Sequence, residues 1–229
     1  MQNFTLMILA AGFGTRMQNL TANRPKPLLK INNTTLLTNT IDFFEKLGCN
    51  KFIINTHYLH KNLKNYLNIK HSNKNIILIH EPEILDTGGA VKNSLQYFDS
   101  KNFLVTNSDI FWNETNIKDI VDFVKGIDKL EKYRLLLSSQ KNTEGIERIN
   151  GDFVIDNFTV RKWIKNDPIF FYSGLQILNP KIFENILSNK FSMNIIWNKL
   201  ILEKKLKAKI MKSKLYHVGD IKSFNNIIS

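Results

Sequence analysis

The chain of 229 residues carries one cysteine, five prolines, ten glycines and three tryptophans. With Cys49 as its only thiol, no intrachain disulfide can form. That excludes a disulfide-stapled secreted scaffold and fits a reducing compartment. Glycine and proline are too sparse for a fibrous or low-complexity protein. Long apolar runs are missing as well. The longest near the N-terminus, Leu6 to Ala11, falls far short of the roughly 20 residues that span a bilayer. No basic stretch precedes it, as one would in a secretory leader. A cytoplasmic location is expected, with no membrane partner. Acidic residues are in short supply, 20 against 32 basic ones, giving a net charge of +12. Lysine far outnumbers arginine, and the lysines are scattered among acids and asparagines. No helix-turn-helix, zinc-finger or RNA-recognition signature accompanies them, so nucleic acid is not an expected partner. An anionic small molecule suits the charge.

What is present is an ordinary globular composition, 43% hydrophobic and 23% charged. A chain this long buries about 70–75% of its unfolded surface and needs no staples. Short β-like runs at Phe4–Ala10, Phe52–Asn55, Ile76–His80 and Phe103–Asn107 alternate with helical stretches at Thr35–Leu47, Tyr58–Leu67 and Gly89–Phe98. In the helical stretches apolar positions recur at three and four, as Ile41, Phe44 and Leu47 do. This alternation predicts βαβ units and a mostly parallel sheet between helical layers. Beyond it the pattern predicts a helix at Ile117–Gly126 and a strand at Tyr133–Ser139. Strands are then expected at Glu147–Ile155, Thr159–Ile164 and Phe170–Leu178, with helices at Pro180–Leu187, Asn194–Lys204 and Ile221–Ile228. No repeat or linker-like break divides the chain, so a single α/β fold with a β-rich elaboration is expected.

One segment concentrates the chemistry. Leu9-Ala10-Ala11-Gly12-Phe13-Gly14-Thr15-Arg16-Met17 is followed by Arg24-Pro25-Lys26-Pro27-Leu28. A buried strand running into small residues and two glycines lets backbone amides approach a phosphate closely. Arg16 can fork onto phosphate oxygens, and Pro25 and Pro27 stiffen the backbone that carries Lys26. The dinucleotide fingerprint is excluded, because Met17 stands where its third glycine belongs. The Gly-Lys-Ser/Thr of a Walker A loop is absent too.

The run from Leu9 to Leu28 resembles the signature of the sugar-1-phosphate nucleotidylyltransferases, Gly-x-Gly-Thr-Arg, a spacer, then Pro-Lys. Asn55-Thr56-His57-Tyr58, Leu85-Asp86-Thr87-Gly88-Gly89-Ala90, Asn107-Ser108-Asp109 and Phe171-Tyr172-Ser173-Gly174-Leu175 fall where that family has counterparts. The short chain and its Asp-Thr-Gly-Gly segment look most like the bacterial N-acetylmuramate-1-phosphate uridylyltransferases. Proteins of this appearance are also labelled mannose-1-phosphate guanylyltransferases. The resemblance implies a three-layer α/β/α, Rossmann-like nucleotidyltransferase fold with a mixed, mostly parallel sheet and a small sugar-binding β elaboration. It implies one domain over 1–229, with 1–112 as the nucleotide-binding half and 113–229 as the sugar-binding half. The implied reaction joins an NTP, either UTP or GTP, to a sugar 1-phosphate and releases pyrophosphate. UTP with N-acetylmuramate 1-phosphate, a step of peptidoglycan recycling, is the leading pair. A mannose-1-phosphate guanylyltransferase and a non-catalytic nucleotide-sugar binder are the alternatives.

By the same resemblance, Arg16 holds the β- and γ-phosphates, Lys26 the α-phosphate, and Asp109 a Mg²⁺ or Mn²⁺. Leu9, Ala10, Ala11, Gly12, Gly14, Thr15, Asn55, Gly88 and Asn107 line the nucleotide, and Gly151, Asp152, Tyr172 and Ser173 the sugar. Gly88 and Gly89 serve equally well as a turn capping a helix at Asp86-Thr87. The family's second metal aspartate has no counterpart here, because His217-Val218-Gly219-Asp220 stands in its place. Imidazole is a poor Mg²⁺ ligand. Three options stand: a metal held by Asp109, phosphates and water; Asp220 as a second ligand; or His217 bonded to a metal-bound water. Oligomeric state is not legible.

Overall fold

In the computed structural model, residues 3–98, 102–125, 127, 132–157 and 159–228 are described. The first half runs β1 (Phe4–Leu9), β2 (Lys30–Ile31), β3 (Thr34–Thr35), α1 (Leu36–Lys46), β4 (Cys49–Thr56), α2 (His60–Lys70), β5 (Ile76–His80), α3 (Asp86–Asn93), β6 (Phe103–Asn107) and β7 (Ile110–Phe111). There follow α4 (Ile117–Val124), β8 (Arg134–Ser139), β9 (Thr143–Glu144), β10 (Phe153–Asp156), β11 (Thr159–Lys162), β12 (Phe170–Leu178), α5 (Met193–Leu202), β13 (Lys207–Ile210), β14 (Leu215–His217) and α6 (Ile221–Ile228).

Seven strands form one sheet in the order β13-β8-β12-β6-β1-β4-β5. Neighbours β6, β1, β4 and β5 are parallel, β12 is antiparallel to both β6 and β8, and β13 is parallel to β8. Apolar residues cover both faces, as a parallel sheet requires. Along β1 the alternation decides which way each side chain points. Leu6 and Ile8 join the core with Leu37, Ile41 and Phe44 of α1 and Leu63 and Leu67 of α2. Met7 joins the opposite core with Val91 of α3 and Ile196, Trp197 and Leu200 of α5. The mixed α/β architecture expected from the alternating pattern is therefore the one observed. No helix among the described residues is long and apolar enough to cross a membrane.

Several boundaries differ from the periodicity reading. Pro180–Leu187 makes only a short 3-10 turn at Pro180–Phe183. The chain leaves the helical path there because Phe191 O accepts from both Gly88 N and Gly89 N, while Lys92 Nζ donates to the carbonyls of Leu187 and Ser188. The strand expected over Glu147–Ile155 is confined to Phe153–Asp156. The residues before it form a loop, with Gly145 in the left-handed region and Arg148 paired to Asp152. Six strands escape periodicity altogether: β2, β3, β7, β9, β13 and β14. In β13 lysines 207 and 209 occupy alternate positions of an edge strand, where charge protects the unpaired edge. β14 is only three residues long. Gly126, the expected end of the fourth helix, lies outside the described residues.

The α1 helix starts with a cap, Thr35 Oγ1 accepting from Thr38 N at 3.1 Å. Its buried face grips Trp112, whose ring lies 5.8 Å from Phe43 and 5.6 Å from Phe44. Asn39 pairs with the Trp112 backbone in both directions, at 2.8 and 2.9 Å. This clamp fixes the chain just beyond β6 and β7. Replacing Trp112 by Ala should lower stability by about 3–5 kcal/mol. Denaturant unfolding with an unchanged slope would show this, and a loss below about 1 kcal/mol would mean that the pocket collapses around the vacancy.

Candidate active site

The register of the central strands builds the site. Leu9 at the end of β1 aligns with Asn55 of β4 on one side and with Asn107 of β6 on the other. Three strands thus deliver their ends to one carboxyl edge. The strand order reverses between β1 and β6, which is where open α/β sheets bind ligands. Asn55 is committed to the scaffold. Its Oδ1 accepts from Ala10 N at 2.9 Å, and its Nδ2 donates to Glu81 Oε1 at 2.8 Å. Glu81 Oε2 in turn accepts from Leu85 N. A satisfied buried network therefore fixes the start of the glycine loop.

That loop turns at Gly14, whose φ of +67° is left-handed. A Cβ there would also stand 3.1 Å from Lys26 Cβ and 3.2 Å from Thr21 Cγ2, so glycine answers both the conformation and the packing. Thr21 Oγ1 donates to Gly14 O, and Tyr58 OH donates to Ala22 O at 2.8 Å, latching the segment that carries Arg16 onto the turn before α2. Pro25 is extended and Pro27 sits in a short 3-10 turn beginning at Lys26. Between these rings Lys26 is buried, and its Nζ meets Asp109 Oδ2 at 2.8 Å.

Asp109 follows β6 and faces a second neighbour, His217, whose Nε2 lies 3.4 Å from the same Oδ2. The His217 ring is oriented from behind by Gly145 O, 3.2 Å from Nδ1. A carbonyl can only accept, so Nδ1 carries a proton. Burial alone would raise the Asp109 carboxyl, but Lys26 and His217 together hold it well below the usual carboxylate range. Burial also opposes a charged His217, and Asp109 overrides it, lifting the imidazole above its ordinary value. Asp109 Oδ1 is buried without a hydrogen-bond partner. Asp220 caps α6 instead: its Oδ1 accepts from Ser223 N at 2.8 Å, and that bond, with help from Arg16 nearby, keeps its carboxyl low.

Arg16, Lys26 and Asp109 share one cleft of about 360 Å³, whose lining does not include His217 or Asp220. Leu9, Ala10, Ala11, Gly12, Gly14, Thr15, Arg16, Lys26, Asn55, Asn107 and Asp109 all line it. Gly88 does not. Its amide donates to Phe191 O, and a Cβ would stand 2.4 Å from the Phe191 ring, so packing between α3 and the chain before α5 requires this glycine. Nor do Gly151, Asp152, Tyr172 and Ser173 line the cleft. Asp152 ties the β10–β11 hairpin to β12, its Oδ2 accepting from Tyr172 N at 2.9 Å. The Tyr172 ring packs 5.0 Å from Trp197, and Ser173 is fully buried. Sequence reading missed Glu81, Asp86 and Thr87, which complete the far wall of the cleft. Glu81 was within reach, since it directly follows β5 at the same carboxyl edge that singled out Asn55 and Asn107.

Such a cleft presents backbone amides, a guanidinium and an ammonium beside the carboxylate of Asp109, with Glu81 and Asp86 on the far wall, which is equipment for holding a polyphosphate and a cation. Residues 5–227 match the nucleotidyl transferase family. The chain belongs to that family, among its sugar-1-phosphate nucleotidylyltransferases. It is 26% identical over 221 residues to the N-acetylmuramate alpha-1-phosphate uridylyltransferase of Caulobacter vibrioides, covering 93% of this chain and 91% of that protein. It is 27% identical over 186 residues to the catalytic subunit beta of mannose-1-phosphate guanylyltransferase from Drosophila pseudoobscura pseudoobscura, covering 79% of this chain and 49% of that protein. The chain thus spans about half of that second relative. The crystal structure of HddC from Yersinia pseudotuberculosis superposes with a TM-score of 0.80 at 25% identity, over 98% of both chains.

The Asp109–His217 contact gives a pH dependence with a definite sign. His217 is raised on folding, so its contribution to stability is full below the unfolded imidazole value and fades as pH rises through the folded one. Asp109 is lowered, so its contribution is present above the unfolded carboxyl value and fades as pH falls through the folded one. Asp109→Asn should therefore move the NMR titration of His217 to lower pH. The stability gap between wild type and variant should be widest between those limits and narrow at both ends. An unmoved His217 midpoint would mean that the two side chains are not coupled.

Proposed function

We propose that the chain transfers a uridylyl group from UTP to N-acetylmuramate 1-phosphate. A phosphate oxygen of the sugar 1-phosphate forms a bond to the α-phosphorus. The bond from that phosphorus to the bridging oxygen breaks, and pyrophosphate leaves with the electron pair. One observation carries the reading: Arg16, Lys26 and Asp109 line a single cleft with the glycine loop, at the switch point of the sheet. In this reading Arg16 steadies the leaving pyrophosphate and Lys26 meets the α-phosphate, work that is mostly positioning and charge neutralisation. Lys26 has to exchange its contact with Asp109 for the phosphate, or share itself between the two. Residues 1–112 would serve the nucleotide and 113–229 the sugar, with Gly151 and Asp152 at the sugar side. The base and sugar are chosen on the relative that matches almost end to end. Guanylyl transfer to mannose 1-phosphate is the second reading, favoured by the Drosophila relative.

A divalent cation, Mg²⁺ or Mn²⁺, fits beside Asp109. The carboxylate offers Oδ1, buried and unpartnered, and Mg²⁺ needs only one or two protein carboxylates when phosphates and water complete its shell. When bound it would neutralise phosphate charge. Asp109 would hold it. The buried thiol of Cys49, pushed up to about 12 by desolvation, is unreactive and suits the reducing cytoplasm.

Crossing the four nucleoside triphosphates with N-acetylmuramate 1-phosphate and mannose 1-phosphate should give pyrophosphate release fastest with UTP and the N-acetylmuramate ester. Preference for GTP and mannose 1-phosphate would favour the second reading, and no release with any pair under Mg²⁺ or Mn²⁺ would reject both. Lys26→Ala should lower kcat by about 10²–10³, the size of losing one charge partner in the transition state. A loss under about threefold would make Lys26 a bystander.

A further inference from the structure

A second cavity, of about 340 Å³, lies between α2 and β5 and shares no lining residue with the cleft. One face of α2 supplies His60, Lys64, Asn68 and His71, spaced as neighbours on a helix surface are. From β5 come the alternate residues Ile76, Leu78 and His80, which point to one side of the strand. β5 is the last strand of the sheet, so its outer edge is open. No acidic residue lines the cavity. Lys74, at the foot of β5, is already paired with Glu45 and Asp42 of α1. The rings of His60 and His80 stack with 4.3 Å between centroids. Buried polar atoms are ordinarily paired, yet His60 Nδ1 and His71 Nδ1 are both buried with no hydrogen-bond partner. His71 Nε2 is taken up by Thr38 Oγ1 at 2.8 Å. Among the described residues no three His, Cys, Asp or Glu side chains gather as a metal site, so the imidazoles here are donors in search of an anion.

We propose that this cavity binds a small phosphate monoester, with the phosphate group on His60, His80 and Lys64 and the organic part on Leu67, Ile76 and Leu78. Its volume falls at the lower end of ordinary small-molecule sites, about 300–1,000 Å³. Burial, the His80 ring and the Lys64 ammonium hold the His60 imidazole below its ordinary value. The other charged groups of this region act further along: Asp42, Glu45, Lys70 and Lys74 face His71. The stacked pair therefore has two basic neighbours' worth of repulsion and no acid to relieve it. A dianion set against the two rings reverses that balance, because it favours imidazolium and accepts charge-assisted hydrogen bonds from it. The phosphate thus enters with protons, and binding tightens as pH falls toward the imidazole range. A phosphate group offers three oxygens to donors arriving from a helix and a strand, where a planar carboxylate offers two. Leu67 is buried and Ile76 and Leu78 are half-buried, an apolar wall that a bare inorganic ion leaves unused.

The test titrates the whole chain with phenyl phosphate and, separately, with inorganic phosphate, following the five histidines by NMR and affinity by calorimetry. Phenyl phosphate should move the His60 and His80 resonances saturably and shift the His60 midpoint to higher pH. It should bind at least about threefold more tightly at about pH 6.5 than at about pH 8, in line with proton uptake, and more tightly than inorganic phosphate at either pH. Lys64→Ala combined with His80→Gln, both at exposed positions, should weaken it at least about tenfold, the loss of two charge-assisted partners. If that double variant does not fold by circular dichroism, Lys64→Ala alone decides, with a loss of at least about threefold expected. Unchanged affinity in the folded variant would overturn the proposal, as would equal affinity for the two phosphates. Movement confined to His217, which touches Asp109, and His57, which bonds the Glu81 backbone, would mean binding in the catalytic cleft alone and would also overturn it. So would Zn²⁺ moving His60 and His80 where phenyl phosphate does not, which assigns the pair to a cation. The titration needs no turnover, so its outcome is independent of whether the chain transfers a uridylyl group.

Discussion

The contact between Lys26 and Asp109 organises the site. It joins the stiffened segment after the glycine loop to the end of β6, 83 residues further along the chain, with both side chains largely withdrawn from water. An ion pair so placed is weak support for stability, because desolvating two charges offsets most of their attraction. Losing either partner is another matter, since a buried charge would be left uncompensated. The arrangement makes sense as stored charge. An ammonium and a carboxylate are held ready at the switch point of the sheet, each able to turn to a phosphate or a cation once substrate supplies a better match.

The rest of the cleft is arranged so that this charge is not wasted on disorder. Strands β4 and β6 are apolar through their buried middles and turn polar at the carboxyl edge, where Asn55 and Asn107 flank Leu9 in register. Asn55 and Glu81 satisfy each other and the backbone, so the far wall is fixed in place. The near wall keeps its cations. The cleft therefore runs, in an order fixed by the strands, from a closed polar network beside β5 to the buried Lys26–Asp109 pair beside β6.

The parts legible in the sequence are those whose cause is local. The strand-to-glycine transition at Leu9–Gly14, the prolines flanking Lys26 and the acid after an apolar run at Asp109 all follow from neighbouring residues, and the α/β alternation follows from periodicity. What escaped has distant causes. Gly88 and Gly89 read equally as a ligand loop or a helix-capping turn, and Phe191 and Asn189, about a hundred residues on, account for them. The alternating lysines of β13 look like solvated loop until β8 pairs with them. Ser173 looked open to a sugar and is buried because β12 lies between β6 and β8 in the middle of the sheet. Glu81 could have been found by applying the strand-end rule once more.

Completion of the site depends on the last part of the chain. Val218 and Phe224 pack with Met17, Leu29, Ile31 and Leu36 in a small core of their own beneath the glycine loop. The same segment places His217 against Asp109 through β14, which pairs with β7 on one side and β9 on the other. Asp119 of α4 reinforces the approach, its Oδ2 accepting from Lys212 N, Ser213 N and Ser213 Oγ at 2.7–2.9 Å. The central strands thus supply the floor of the cleft, while the charge balance around Asp109 is set by Lys26 from the glycine-loop side and by His217, more than a hundred positions later. The same carboxylate at the end of β6 can therefore be poised differently by changing position 217 alone, without disturbing the sheet that presents it.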